Sequence, residues 1–589
     1  MRELSVFPRP RFVRSTGEGP ARPDGEPQLK RDASLPAQGY ALEVTRAGVV
    51  LRYADEAGER YGRSTLAQLR SDEGPLPGLE IRDWPDLLVR GYMLDISRDR
   101  VPTRATLERT VDLLDRLRIN HLELYTEHTF AFRDHEPVWR DASPMTAADL
   151  SWLDARCRER GIELSANQNT FGHMGRWLSH PAYAQRAETP GGWDGPLGHR
   201  LEPSVLAPTE GNAEFALSLV REMMESVSSR RVNIGCDETF ELGQGVSAAV
   251  VEQRGRGAVY VEHLQRLLRG LHDDGCEVLF WGDILREHPE LVAELPREDT
   301  VALAWWYEAP LSDPEIPEAL RDLVAQFGIS EQAQRGFAGQ VPAFVDAGLP
   351  FWVCPGTSAW NSLIGRWPNA RANLLDAVEV GLEQGAEGCL ITDWGDNGHL
   401  QPPSVSWLPL AFGAAQAWCV TSNRDVDIAE AIDRVVFEDG ASELGAVLVA
   451  LGESYLGTGR TAVNASALFT AVVSGPMLMA FGEPSADALE TTLGRLEDAD
   501  GALRRARPAC ADADVVVREL TQAARLARHG AERLLSSTGR GGGRSQALAR
   551  ELAAAKEEQA ACWRLRSREG GLAESLAKLS PPEAGGGLG

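Results

Sequence analysis

Residues 232–241 read VNIGCDETFE. Small and β-branched residues run into two adjacent carboxylates, Asp237 and Glu238. The run predicts a buried strand whose polar tip opens into a cleft. Successive strand residues point to opposite faces. Where strand gives way to loop that alternation relaxes, and both acids can serve one site. Taken alone, the stretch fits equally well a strand end carrying two solvated acids.

The segments around it repeat one rhythm of apolar strand, loop and amphipathic helix. Strands are predicted near 90–96, 119–125, 161–166, 231–236, 276–281, 299–306, 350–355 and 387–394. Leu107, Val111, Leu114 and Leu117 form an apolar stripe at helical spacing, as do Leu264, Leu267, Leu268 and Leu271. Eight such units between residues 89 and 425 predict an α/β chain folded as a closed (β/α)8 TIM barrel. The alternative is an open doubly wound sheet. That fold calls for a Gly-rich phosphate turn after the first strand, where this chain has DISRDRVPT.

Before the barrel, residues 40–88 predict a small α+β domain. It holds a hairpin turning at residues 46–48 and a short helix in STLAQLRSD, N-capped by Ser64 or Thr65. Residues 1–39, rich in Pro, Gly and charge, are assigned no structure. Residues 426–580 predict a helical C-terminal domain with helices near 485–506, 511–535 and 545–566, and 581–589 a disordered tail.

Sixty Lys and Arg against 86 Asp and Glu give a formal charge of −26. Such a surface attracts neither nucleic acid nor anionic membrane. The eight cysteines are scattered without a CxxC pair, which predicts buried free thiols. No ligand spacing calls for a metal, and no cofactor is expected. The first twenty residues lack an apolar secretion core, and no apolar run is long enough to span a bilayer. A cytoplasmic protein is expected, with a homo-oligomer through the C-terminal helices left open.

A barrel places function at the C-terminal strand ends. Those ends carry Arg98, Glu127 and His128, Asn169 and His173, Asp237 and Glu238, Trp281 and Asp283, Trp306 and Tyr307, Trp360 and Asn361, and Trp394 and Asp396. Nine of the 15 tryptophans fall between residues 281 and 418. Flat aromatic faces stack on the C–H faces of sugars, while acids and amides bind hydroxyls; the bland alternative is a Trp-rich core. An acid pair in an aromatic cup suggests glycoside cleavage, which needs a proton donor and a stabiliser of the oxocarbenium-like carbon. Neighbours in sequence cannot easily flank a glycosidic bond as acid and nucleophile. They suit a scheme in which the substrate's own 2-acetamido group is the nucleophile, with Glu238 protonated and Asp237 ionised.

The pieces GYMLDISRDRVP, NQNTFGHM, NIGCDET, FWGDI, WWYE, GTSAWNS and TDWGDNGH occur in that order. In that order they resemble the β-N-acetylhexosaminidases of glycoside hydrolase family 20. Residues 40–90 resemble the small domain that precedes the barrel there. The resemblance implies a retaining, exo-acting enzyme acting on a carbohydrate with a terminal β-linked GlcNAc or GalNAc. Asp237 would orient the acetamido group, and Glu238 would be general acid and then base. Arg98 would bind the 3- and 4-hydroxyls, and Asp396 the 4- and 6-hydroxyls. His173 would support Glu238, and Trp281, Trp306 and Trp394 would wall the pocket. The chain departs from the family's pattern in three places. Glu127 and His128 stand where an Asp pair is usual, and Asn169 stands where an Asp is usual. Trp360–Asn361 stand where a tyrosine is usual, so that Asn361 or Tyr307 would substitute for it. The rival readings are a barrel glycosidase for non-acetylated sugars and a catalytically silent carbohydrate-binding protein.

Overall fold

The structure, a computed structural model, describes residues 6–17, 25–71, 78–195, 200–312, 330–473, 480–540 and 545–580. The expected tail at 581–589 lies outside the described residues.

The N-terminal sheet has five strands: β1 (Phe12–Ser15), β2 (Gln28–Arg31), β3 (Tyr40–Thr45), β4 (Gly48–Tyr53) and β5 (Leu79–Asp83), in the order β1-β5-β3-β4-β2. β3 and β4 are the hairpin read from the sequence. β1 and β2 come from the stretch assigned no structure. The helix packed on the sheet spans Glu56–Ser71 and starts well before the predicted Ser64 or Thr65 cap. Asp55 caps it instead, its carboxylate accepting from Gly58 N at 2.8 Å. Gly58 and Gly62 weaken the helical pattern in sequence. They let the helix approach the sheet closely, since a Cβ at Gly58 would lie 2.2 Å from the Gly39 carbonyl oxygen.

Eight parallel strands then close a barrel: β6 (Val89–Asp95), β7 (His121–Tyr125), β8 (Glu163–Asn167), β11 (Arg231–Asn233), β12 (Glu277–Trp281), β13 (Thr300–Trp305), β14 (Phe351–Cys354) and β15 (Gly388–Asp393). A small hairpin, β9 (Trp193–Asp194) with β10 (Arg200–Leu201), sits in the long excursion after β8. The strands lie where the sequence reading put them, except that β11 ends at Asn233 rather than at residue 236. Two apolar layers hold the barrel. Its interior is filled by Met93, Tyr125, Leu279, Trp281, Leu303, Trp352 and Leu390, among others. A larger layer joins the outer strand faces to the helices, including both predicted leucine stripes. All eight cysteines are buried and free.

In the C-terminal region, helices Ala486–Arg505, Ala513–Ser537 and Ser545–Arg566 lie where predicted; the shorter Ile428–Ile432, Leu444–Glu453, Ala467–Thr470 and Leu572–Lys578 are further helices there. Residues of this region tie to the first barrel helix, Arg104–Arg116, where Arg109 Nε meets Asp512 at 2.9 Å and Thr106 Oγ1 donates to Arg566 O at 2.6 Å. Pro102 bridges to Ser567, which brings the last helix to the mouth of the barrel.

One buried node ties the N-terminal sheet to the barrel. Arg118 donates to Asp83 at 2.8 Å and to Thr65 at 2.7 Å, and stacks 4.3 Å from the Trp418 ring. Tyr40 and Trp418 also donate to Asp83. Both ionic side chains have no exposed surface. Removing one partner of such a pair strands the other charge in low dielectric. Arg118→Ala is therefore expected to lower unfolding free energy by about 3–5 kcal/mol, read as a lower urea midpoint.

Candidate active site

The site begins with the way β11 ends. After Asn233 the backbone turns left-handed at Gly235 (φ 68°), Cys236 (φ 75°) and Glu238 (φ 50°). This breaks the strand alternation and sends Asp237 and Glu238 into the same space. It is also why β11 is shorter than the apolar run suggested. The turn is braced on every side. Trp281 N donates to Gly235 O at 2.9 Å, Thr170 Oγ1 to Ile234 O at 2.7 Å, and Tyr260 OH to Cys236 O at 2.9 Å. Glu238 N donates to Asp283 Oδ2 at 3.0 Å. Gly172 lies so close that an added Cβ would stand 2.2 Å from Asp237 O.

Asp237 and Glu238 differ in exposure. The Asp237 side chain is 8% exposed and the Glu238 side chain 40%. Asp237 Oδ1 is buried without a hydrogen-bond partner. His173, itself left-handed (φ 56°), sets Nε2 3.3 Å from Asp237 Oδ2 and 3.3 Å from Glu238 Oε2. Its Nδ1 lies 3.7 Å from Glu127 Oε1. Burial opposes a charge on this ring, but Asp237 and Glu238 prevail and raise its pKa well above the ordinary histidine value. Glu127 thus stands as the carboxylate behind His173. The neighbouring His128 turns away to Asp99, at 2.7 Å. Asn169 lies beneath the turn, against Gly235.

Across the mouth, Arg98 NH1 meets Asp95 at 2.9 Å and Glu127 at 3.5 Å, and NH2 meets Asp396 at 3.3 Å. Its guanidinium lies 5.3 Å from the Tyr125 ring and 5.4 Å from the Trp394 ring. Trp281 and Trp394 lie 5.9 Å apart with their rings tilted by 50°, and Trp394 Nε1 donates to Tyr307 OH at 2.8 Å. Trp305 stacks on Tyr307 at 5.2 Å.

Trp306 does not join this cup. Val301 and Leu303 of β13 point into the barrel, so alternation turns Trp305 and Tyr307 inward and Trp306 outward into the helical layer. The expected wall residue is therefore replaced by Trp305, which the sequence reading did not single out. Trp360 is a buried prop, edge-on to Tyr307 at 5.1 Å, with Nε1 donating to Asn464. Asn361 is occupied on both sides of its amide, donating to Asn464 O and accepting from Asn397. Of the two residues offered in place of the family's tyrosine, Tyr307 keeps a hydroxyl toward the cup. Asn464, about a hundred residues downstream in a helical region, carried no signal in the sequence.

Two family descriptions match this chain: "Glycosyl hydrolase family 20, domain 2" over residues 7–84 and "Glycosyl hydrolase family 20, catalytic domain" over residues 89–315. The chain belongs to glycoside hydrolase family 20. It is 31% identical to human Hexosaminidase D over 162 residues, 26% of this chain and 31% of that protein. It is 24% identical to the bovine beta-hexosaminidase subunit alpha over 301 residues, 46% of this chain and 54% of that protein. The matched segments thus span less than two thirds of either relative. The fold superposes on the Flavobacterium johnsoniae chitobiase with TM-score 0.58 at 14% identity, covering 94% of this chain and 96% of that one. It superposes on the Vibrio harveyi exo β-N-acetylglucosaminidase, solved in complex with N-acetylglucosamine, with TM-score 0.56 at 16% identity, covering 76% and 78%. The first family description starts at residue 7, so the family's small domain takes in β1 and β2.

Behind the acid pair, burial and the adjacent Asp237 push the Asp283 carboxyl from 3.8 up to about 8. The folded protein binds this proton more tightly than the unfolded chain. Its stabilisation is complete below 3.8 and is lost as pH rises through about 8. Stability is expected to fall across that window, and Asp283→Asn, which keeps an oxygen for Glu238 N, is expected to flatten the fall. Urea unfolding followed as a function of pH measures both.

Proposed function

We propose that this protein is an exo-acting, retaining β-N-acetylhexosaminidase that uses the substrate's acetamido group as nucleophile. The observation that carries the reading is Asp237 Oδ1, a buried carboxylate oxygen without a partner beside an aromatic cup. An unpaired buried acceptor is costly, and the acetamido N–H of a bound sugar is the donor that would satisfy it. Family membership supports the same chemistry.

The reaction then runs in two displacements at one carbon. The acetamido oxygen attacks C1 from below, the bond from C1 to the leaving oxygen breaks, and Glu238 gives its proton to that oxygen. Asp237, accepting from the acetamido N–H, stabilises the positive charge of the oxazolinium ring. Water next attacks C1 from above and loses its proton to Glu238, the ring opens, and the anomeric configuration is retained. The greater exposure of Glu238 suits contact with leaving group and water, and the burial of Asp237 suits an enclosed charge. Tyr307 accepts from Trp394 Nε1, so its own proton can go to the acetamido oxygen and hold it under C1. Trp281, Trp305 and Trp394 shape the pocket. Arg98 reads the 3- and 4-hydroxyls, Asp396 the 4- and 6-hydroxyls, and His173, backed by Glu127, orients the acid pair.

Glu238→Gln is expected to lower kcat on an alkyl GlcNAc glycoside by about 10²–10⁴-fold while sparing affinity for a GlcNAc-thiazoline analogue. Unchanged turnover, or a thiazoline that fails to inhibit the wild type, contradicts the reading. Tyr307→Phe is expected to lower kcat by about tenfold or more with a smaller change in KM, since its hydroxyl acts most strongly as the acetamido oxygen attacks. Steady-state kinetics on an aryl GlcNAc glycoside separates the two parameters.

A further inference from the structure

The mouth of the barrel does not close at Arg98. A cleft of about 230 Å³ continues outward from Arg98 and Glu127, between Asn397 of the barrel and the helix Leu572–Lys578. Arg98 and Glu127 line it, whereas Trp281, Asp237 and Glu238 do not. In the reading above Arg98 holds the 3- and 4-hydroxyls, so the cleft lies where a group on either oxygen would project.

The polar groups in its wall are unevenly matched. Glu127 is engaged by Tyr125 OH at 3.0 Å and by Arg98. Arg98 is shared among three carboxylates, and Arg176 is held by Asp99 at 3.0 Å and by Glu574. Asn397 donates one of its two amide N–H groups to Asn361. Two further groups have no partner at all among the described residues. Ser575 Oγ is buried without a partner. Lys578 has no ion pair or hydrogen bond among the described residues, and its stem lies against Gly398, where a Cβ would come within 3.0 Å of Lys578 Cγ. The surplus is therefore a cation and a hydroxyl donor, in a protein whose formal charge is −26. A neutral sugar unit would want an aromatic platform, and this wall holds no aromatic side chain.

We propose that this cleft is a subsite for an anionic substituent, a sulfate, phosphate or carboxylate, carried on the 3- or 4-oxygen of the terminal N-acetylhexosamine. Lys578 is its counter-ion and Ser575 its hydrogen-bond donor. The C-terminal helix then sets specificity, and the substrate class widens from bare to acid-substituted terminal sugars. This inference rests on the function proposed above.

The test compares kcat/KM for aryl β-GlcNAc glycosides that are unsubstituted, 3- or 4-sulfated, 4-phosphorylated, 3-O-carboxyethylated, 4-O-methylated or 6-sulfated, in wild type, Lys578→Gln and Lys578→Arg. The wild type is expected to accept at least one of the 3- or 4-anionic substrates better than its neutral 4-O-methyl counterpart. Lys578→Gln is expected to lower kcat/KM for that substrate by about fivefold, with Lys578→Arg restoring most of it and the unsubstituted glycoside nearly unmoved. Whichever anion responds identifies the substituent. Equal losses on charged and unsubstituted substrates, better use of the 4-O-methyl sugar, or preference for the 6-sulfate alone would overturn the subsite. If the wild type hydrolyses none of the glycosides, the proposed activity fails on its own. Calorimetric titration of GlcNAc 4-sulfate and 3-O-carboxyethyl-GlcNAc into wild type and Lys578→Gln then decides the subsite, and a Lys578-independent signal overturns it.

Discussion

Everything at the mouth of this barrel depends on a backbone turn held in an unfavourable shape. Cys236 and Glu238 adopt left-handed conformations without being glycine, which costs on the order of 1–2 kcal/mol each. The bonds around the turn, from Trp281, Thr170 and Tyr260 and to Asp283, contribute about 0.5–1.5 kcal/mol apiece. The two sums are comparable, so the turn persists because the surrounding shell over-determines it. What it achieves is geometric. Two successive side chains that a strand would send to opposite faces share one pocket.

That arrangement crowds negative charge. Asp95, Glu127, Asp237, Glu238, Asp283 and Asp396 all border the site, with Arg98 and His173 set among them. Like charges in a partly dry cleft repel strongly. The structure relieves the crowding in two ways. Burial and the neighbouring Asp237 push the Asp283 carboxyl up to about 8 behind the turn, and the acid pair raises His173 well above the ordinary histidine value. Both devices leave the substrate-facing side of Asp237 free, where the proposed mechanism needs an acceptor.

The barrel was legible because its strands are apolar runs at even spacing and its helices carry leucine stripes. The acid pair was legible because two carboxylates at the end of a buried run are hard to place elsewhere. What escaped the reading was orientation. WWYE offers two tryptophans, and only the parity fixed by Val301 and Leu303 says that Trp305 faces in and Trp306 out. Helix Glu56–Ser71 was read short because Gly58 and Gly62, needed for close packing on the sheet, look like breakers. Asn464, Ser575 and Lys578 reach the mouth from the helical C-terminal region, through tertiary packing that no local pattern encodes. The expectation of a tyrosine substitute named two residues, and hydrogen bonding separates them. Asn361 both donates and accepts within the protein, while the Tyr307 hydroxyl accepts from Trp394.

The central claim is that the sugar's acetamido oxygen, aimed by Asp237, performs the first displacement. Progressive fluorination of the acetyl methyl weakens that oxygen as a nucleophile while leaving the leaving group and the protein unchanged. The account predicts that kcat/KM for an aryl glycoside series from acetamido to trifluoroacetamido falls steeply with each added fluorine. A flat dependence across the series would show that another nucleophile does the work, and would contradict it.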